Sequence, residues 1–254
     1  MSWADKKLNI LWLWPDILNL HGDRGNVMAL VRVCGLYGIE TKITRVNRLK
    51  DMFWLDPVDI VVLGPGELAV MPQVVGALSK KYADFKNYTE NGGVVFTTGT
   101  TGAALGKQTI RVDESRIFGL GLLDMECRER KAVIGDDLIF KTADDQTVCG
   151  IQIQMMSVEL ASGQEPFGKT IYGYGNNAGT AEGAFNDGVI FTNALGPVLV
   201  KNPWLTLSLI RRAFARRTAS LPQDALRFDP SLFTFELASA KAIQAFNETK
   251  ERPK

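Results

Sequence analysis

The chain has 254 residues, 46% of them hydrophobic and 22% charged, and 29 basic against 28 acidic side chains leave a formal net charge of +1. That balance supports one large buried core or two modest ones, excludes a disordered or fibrous chain, and supplies no bulk field to gather nucleic acid or anionic lipid. Three cysteines, Cys34, Cys127 and Cys149, are odd in number and lack metal-ligand spacing, so neither a disulfide framework nor a metal site is expected. The opening residues lack the layout of a secretion signal and no apolar run approaches the ~20 residues of a membrane span, which predicts a cytoplasmic protein.

In chain order, Lys7 to Trp14 is an apolar run that stops at Pro15-Asp16, the pattern of a buried strand delivering a loop. Between Asn26 and Tyr37, apolar Val27, Leu30, Val31 and Cys34 recur at three- and four-residue steps, predicting an amphipathic helix stopped by Gly38. Ile39 to Val46 and Val58 to Leu63 read as strands, the second ending at Gly64-Pro65-Gly66. Pro72 to Asn91 reads as one helix, and Val94 to Thr97 as a strand running into Thr98-Gly99-Thr100-Thr101-Gly102. Further strands are expected at Ala132 to Ile134, Leu138 to Lys141, Val148 to Ile153, Thr170 to Tyr174 and Val189 to Thr192. Pro203 to Arg217 reads as a helix with Pro in its first turn, and its tandem arginines, 211-212 and 216-217, as a solvated face that complements the helix dipole. Strands alternating with helices imply an α/β fold, a doubly wound, mostly parallel sheet flanked by helices of flavodoxin-like type. Residues 1–217 form the expected domain; 218–254 form a linker and a C-terminal helical tail, with helical spacing from Leu232 to Asn247.

Ligands of such sheets sit at the carboxyl ends of the strands, so Asp16, the Gly64-Pro65-Gly66-Glu67 loop and the Thr98-Gly99-Thr100 turn should share one crevice. The turn at Thr98 has the strand and following helix of a nucleophile elbow, and Gly64, Gly66 and Gly99 could offer backbone N–H groups to an oxyanion or a bound carboxylate. No base is placed beside them: the sole histidine, His21, lies in the loop before the first helix and reads as a hydrogen-bonding loop residue. The plain alternative for Thr98 is that it fills a tight turn. Thr101 to Gln108 has a misplaced first glycine and no Ser or Thr after Lys107, so a phosphate loop is not expected and no cofactor is implied. The cluster from Gly173 to Asn177 reads as a tight connection, or as a loop at an interface.

Three segments carry a wider likeness: Pro15 to Asn26, with Leu-His-Gly-Asp-Arg-Gly-Asn at its end; Tyr172-Gly173-Tyr174-Gly175-Asn176-Asn177; and Gly196 to Pro203. With Ile134-Gly135-Asp136-Asp137 and Gly119 to Asp124, they make the chain resemble the class I glutamine amidotransferases of the cobyric acid synthase type, in particular the glutaminase-like subunits of lipid II isoglutaminyl synthases. The resemblance implies a crevice that hydrolyses glutamine through a Cys thioester. It also implies a Mur-ligase-like synthetase partner that uses the ammonia to amidate a peptidoglycan precursor.

The family's Cys-Gly-Gly stands here as Thr98-Gly99-Thr100, and its Leu-His-Gly-Pro as Ala194-Leu195-Gly196-Pro197. Lys131-Ala132-Val133 stands where a basic residue helps hold glutamine, and Gln152-Ile153-Gln154 where the family carries Glu-Asn-His. Thr98 and Leu195 at the nucleophile and base positions imply loss of the covalent chemistry, since leucine accepts no proton and a threonine hydroxyl is a far weaker nucleophile than a thiolate. The leading expectation is a catalytically silent subunit that binds its synthetase partner. The first alternative is an active amidotransferase in which Glu67 or His21 assists Thr98. The second is a module that holds glutamine or another small carboxylate without cutting it.

Overall fold

A computed structural model describes residues 6–186, 188–217 and 226–250. In chain order the elements are β1 (Lys7–Leu13), α1 (Gly25–Leu36), β2 (Glu40–Val46), β3 (Ile60–Leu63), α2 (Met71–Ser79), α3 (Tyr82–Glu90), β4 (Val94–Thr98) and the one-turn α4 (Gly102–Leu105). There follow β5 (Gln108–Ile110), β6 (Arg116–Phe118), β7 (Met125–Thr142), β8 (Thr147–Leu160), β9 (Gly168–Tyr172), β10 (Ala181–Glu182), β11 (Ala184–Phe185) and β12 (Val189–Thr192). The chain closes with α5 (Val198–Lys201), α6 (Pro203–Arg217) and α7 (Thr234–Asn247).

The first sheet has the order β11-β12-β4-β3-β1-β2. Every pairing from β12 to β2 is parallel, and β11 alone runs antiparallel at the edge. Its central strands read as unbroken apolar runs because both faces are covered. Leu11, Leu13, Val61, Leu63 and Val95 pack toward α2, α3 and α4, whereas Leu8, Ile10, Ile60, Val62 and Phe96 pack toward α1, α5 and α6. The fold is α/β, as its composition and alternation imply. A second, mixed sheet, β10-β9-β7-β5-β6 with β8 on β7, lies beyond the expected parallel one.

One expected helix divides and two expected strands merge in the structure. The single helix from Pro72 to Asn91 is two, because the chain leaves helical geometry at Lys81 (φ −118°, ψ 16°) before α3 turns Phe85 and Tyr88 into the core. The separate strands expected at 132–134 and 138–141 are parts of one 18-residue strand, β7, whose pairing with β8 shifts register between Glu129 and Ile134. A bulge of this kind breaks the two-residue alternation that marks a strand.

The arginines of α6 are anchors as well as a charged face. Arg211 donates to the carbonyl of Leu226, Arg212 lies over Phe185, Arg216 donates to the carbonyl of Val58, and Arg217 pairs with buried Asp59. Residues 218–225 of the expected linker, with 1–5, 187 and 251–254, lie outside the described residues. The tail beyond is held to the body through buried Phe233, an Arg32–Glu236 ion pair of 2.6 Å, and Asn247 on Asp137 at 2.9 Å.

Candidate functional site

The site is built where β1, β3, β4 and β12 end. After β1 the chain turns at Trp14 (φ +50°) and lays the carbonyl oxygens of Ile17 and Leu18 against Gly66 and Gly64. A Cβ at Gly64 would stand 2.5 Å from the Leu18 carbonyl oxygen and 2.9 Å from Asp23 Oδ2, so only glycine permits this approach. The same loop ends in Asp23, which is buried.

Strand β4 runs one residue further than its apolar run suggests. Thr98 still pairs with Thr192 of β12 and keeps extended geometry (φ −133°, ψ 146°). Its side chain therefore does not rise from an elbow. It is fully buried, and its hydroxyl donates to Asp23 Oδ2 at 2.9 Å. The left-handed residue between strand and helix is Gly99 (φ +58°), and this is the position where a nucleophile elbow carries its reactive side chain. A Cβ at Gly99 would lie 3.1 Å from Pro65 Cβ and 3.2 Å from Leu195 Cδ2. Leu195 thus faces the elbow apex directly, and its backbone is fastened to β8 by a mutual pair of hydrogen bonds with Ile151.

The glycine loop expected to offer N–H groups is closed upon the elbow instead. Gly66 N–H donates to Thr100 Oγ1 at 3.1 Å, Thr100 Oγ1 donates to the Gly66 carbonyl at 2.5 Å, and Thr101 Oγ1 donates to the carbonyl of Gly64. The donor that an oxyanion would use at Gly66 is engaged. Asp16 and Glu67 do not enter the crevice: Asp16 is an exposed residue paired with Arg45 at 2.5 Å, and Glu67 is exposed. His21 is also exposed, in left-handed geometry (φ +60°). The carboxylate beside Thr98 is Asp23, which the expected set leaves out although it lies within the quoted Leu-His-Gly-Asp-Arg-Gly-Asn segment.

Around Thr192 and Asn193, at the end of β12, amides and one carboxylate form a buried network. Glu182 Oε1 accepts from Thr192 Oγ1 (2.6 Å) and the N–H of Asn193 (2.8 Å), while its Oε2 accepts from Asn193 Nδ2 (2.9 Å). Asn193 also donates to Asn176, whose side chain bonds both backbone groups of Gly183. Gln152 accepts from the N–H groups of Tyr174 and Gly175 and donates to the Gly175 carbonyl at 2.6 Å, so the glycine-rich loop at 173–177 is pinned to β8. Gln154 donates to the carbonyls of Gly175 and Asn176, and its own carbonyl oxygen is buried without a partner. Burial raises the Glu182 carboxyl above its ordinary range.

Arg130, in the β7 bulge one residue before the expected Lys131, has Nε and one terminal nitrogen buried without a partner, and burial lowers its pKa while nearby Tyr174 raises it. None of the three cysteines lies at the elbow: they sit in α1, β7 and β8. Cys34 and Cys127 are buried with thiols pushed up to about 12, and Cys149 is buried and raised as well. Among the described residues, no group of three or more His, Cys, Asp or Glu side chains could hold a metal ion, and no helix is long and apolar enough to cross a membrane.

The fold is that of the class I glutamine amidotransferases. It matches a crystal structure of a glutamine amidotransferase with TM-score 0.55 at 15% identity over 80% of this chain and 98% of that one. It matches PurLQS from Thermotoga maritima with TM-score 0.53 at 16% identity over 83% and 97%. In sequence the chain is similar to the lipid II isoglutaminyl synthase (glutamine-hydrolyzing) subunit GatD of Streptococcus pneumoniae, 28% identical over 218 residues, covering 83% of this chain and 82% of that protein. It is likewise similar to GatD of Staphylococcus aureus, 27% identical over 212 residues and covering 83% and 86%. No protein-family model matches the chain.

Proposed function

We propose that this chain is a glutaminase-like subunit that has kept the fold of its relatives and lost glutamine hydrolysis. In this reading it serves a Mur-ligase-like synthetase that amidates a lipid II-type peptidoglycan precursor. The observation that carries the reading is the contact between positions 99 and 195. The elbow apex is a glycine with no side chain to attack a carbonyl, and the side chain that faces it is a buried leucine, which accepts no proton. The engaged N–H of Gly66 removes an oxyanion donor at the same place.

The rearranged-nucleophile alternative is disfavoured by the same geometry. Thr98 is buried with its hydroxyl on Asp23, and the two groups that would assist it, Glu67 and His21, are exposed. Retention of a small carboxylate such as glutamine, without cleavage, is favoured by one observation, the unpartnered guanidinium nitrogens of Arg130 beside Tyr174.

Glutamine hydrolysis by the purified chain, alone and with a Mur-ligase-like synthetase, tests the reading against a Gly99→Cys, Leu195→His double variant. Neither native preparation should release ammonia, and the double variant should release it. Turnover by the native chain would overturn the proposal.

A further inference from the structure

Helix α7 is attached to the molecule differently from α6. Of the 15 residues of α6, eight are buried, Leu205, Leu207, Leu209, Ile210 and Phe214 among them. Of the 14 residues of α7 one is buried, and it is Asn247. Leu237, Ala240 and Ile243 reach the core only from partly buried positions. Helices in proteins are held chiefly by the apolar face they bury, so α7 is held weakly. Two oxygens beneath it, Glu236 Oε2 and Asn247 Oδ1, are buried without a partner, which costs the docked state further.

What fastens α7 is polar and lies at its ends. Near its start Arg32 pairs with Glu236 at 2.6 Å. At its end Asn247 Nδ2 donates to Asp137 Oδ2 at 2.9 Å, and Lys250 Nζ stands 3.8 Å from the same oxygen and 5.6 Å from the centre of the Tyr172 ring. Partly exposed ion pairs of this kind hold an element loosely. The chain just before the helix has its own anchor: Phe233 is fully buried and stacks on Phe228 at 5.3 Å. Phe233 also leaves helical geometry (φ −133°, ψ 33°), so a hinge separates anchor from helix. Beneath the helix lie Ile139, Cys149 and Tyr172, and the partly buried apolar residues packed against them, Ala240 and Ile243, both belong to α7. Gln244 Nε2 donates to Cys149 Sγ at 3.6 Å, and that thiol donates to the Ala240 carbonyl at 3.8 Å.

We propose that α7 is a strap that swings off the body at Phe233 while the rest of the chain stays folded, with Asp137 as its clasp. Opening bares Ile139, Cys149 and Tyr172. Ile151, two residues along β8 from Cys149, exchanges hydrogen bonds with Leu195, so the strap closes over the strand that fastens the leucine at the elbow. Elements with few buried apolar contacts open at a far smaller free energy than the core. The three thiols then report two different events. Cys34 and Cys127 belong to the two large core clusters and are reached by global unfolding, whereas Cys149 is reached when the strap opens. Opening does not depend on whether the elbow cleaves glutamine.

Iodoacetamide applied to the full native chain, with the alkylated cysteines located by mass spectrometry, reads the opening. Cys149 should be modified at least about a hundredfold faster than Cys34 or Cys127. Lys250→Ala should raise the Cys149 rate by about threefold to tenfold without lowering the melting temperature, and Asp137→Ala should raise it further, since both clasp contacts end on that carboxylate. Hydrogen exchange on the unaltered chain supplies a readout free of substitutions: the amides of α7 should exchange well before those of α6. Alkylation of Cys149 no faster than that of the other two thiols would overturn the proposal. So would exchange of α7 in step with α6, or a Cys149 rate that neither clasp variant changes.

Discussion

The fold treats two polar regions near the strand ends in opposite ways. On the elbow side the polar groups are threonine hydroxyls, Thr100 and Thr101, turned back upon the carbonyls of Gly66 and Gly64, and Leu195 meets the glycine at the apex. In the other region Glu182, Asn193 and Asn176 bond to one another, and Asn176 and Gln152 bond to loop backbone, with a carboxylate at the centre. The first region is closed by hydroxyl bridges and an apolar plug. The second keeps a buried carboxylate that is stable only because three donors converge on it. The contrast teaches that one part of a site can be closed by an apolar contact while a neighbouring part keeps a buried carboxylate held by a hydrogen-bond network.

The largest effect should come from the network. Glu182→Ala leaves Thr192 Oγ1 and both donors of Asn193 buried without their acceptor. A loss of about 4 kcal/mol or more in unfolding free energy is expected, from the cost of several unmade buried hydrogen bonds. Urea titration of the variant checks it. A change as small as that of a surface substitution would show that the two regions do not differ in the way described.

The next effect lies on the elbow side and depends on pH. Burial raises the Asp23 carboxyl from 3.8 to about 7, against the opposing hydrogen bonds from Thr98 and Asn26. The folded chain therefore holds a proton that the unfolded chain gives up at lower pH. Its stabilising contribution is full below the unfolded value of about 4 and is lost as pH rises through about 7. In Asp23→Asn that dependence is gone, so the native chain's stability relative to the variant should fall by a few kcal/mol across the window. Thermal melts of both chains through that range provide the measurement, and a constant difference would place the proton elsewhere.

Much of the framework was legible in the sequence, and the particular residues show why. Ile10 to Leu13 of β1 and Ile60 to Leu63 are unbroken apolar runs in strands covered on both faces, and the 3.6-residue pattern of Pro203 to Arg217 gave the helix at its observed bounds. Strand β7 was not legible as one piece, because Lys131, Ala132 and Val133 are exposed in its bulge. At the elbow the candidate site differs by one residue, apart from Asp16 and Glu67, which stay exposed. An expected strand end at Thr97 puts the elbow at Thr98, whereas pairing through Thr98 turns that side chain inward and moves the apex to Gly99. In a strand, one residue of slip exchanges the two faces. The bond that puts Asp23 beside Thr98 spans 75 residues, and Glu182 meets Thr192 and Asn193 10 and 11 residues on; contacts of that kind have no local spacing.

The smallest effect isolates the contact at the centre of the comparison. Leu195→Ala alone should cost about 2–4 kcal/mol, since it removes a buried side chain beside the elbow. Gly99→Ala alone should cost about 1–2 kcal/mol, because an L-residue resists φ +58° and its Cβ would crowd both Pro65 and Leu195. In the double variant the leucine end of that crowding is relieved while the backbone cost and the Pro65 contact remain. The two losses should then fall short of their sum by about 0.5–1 kcal/mol, the coupling of residues in direct contact. Additive losses in a denaturant series would mean that Leu195 does not press upon the apex, and the plugged elbow would have to be explained by the hydroxyl bridges alone.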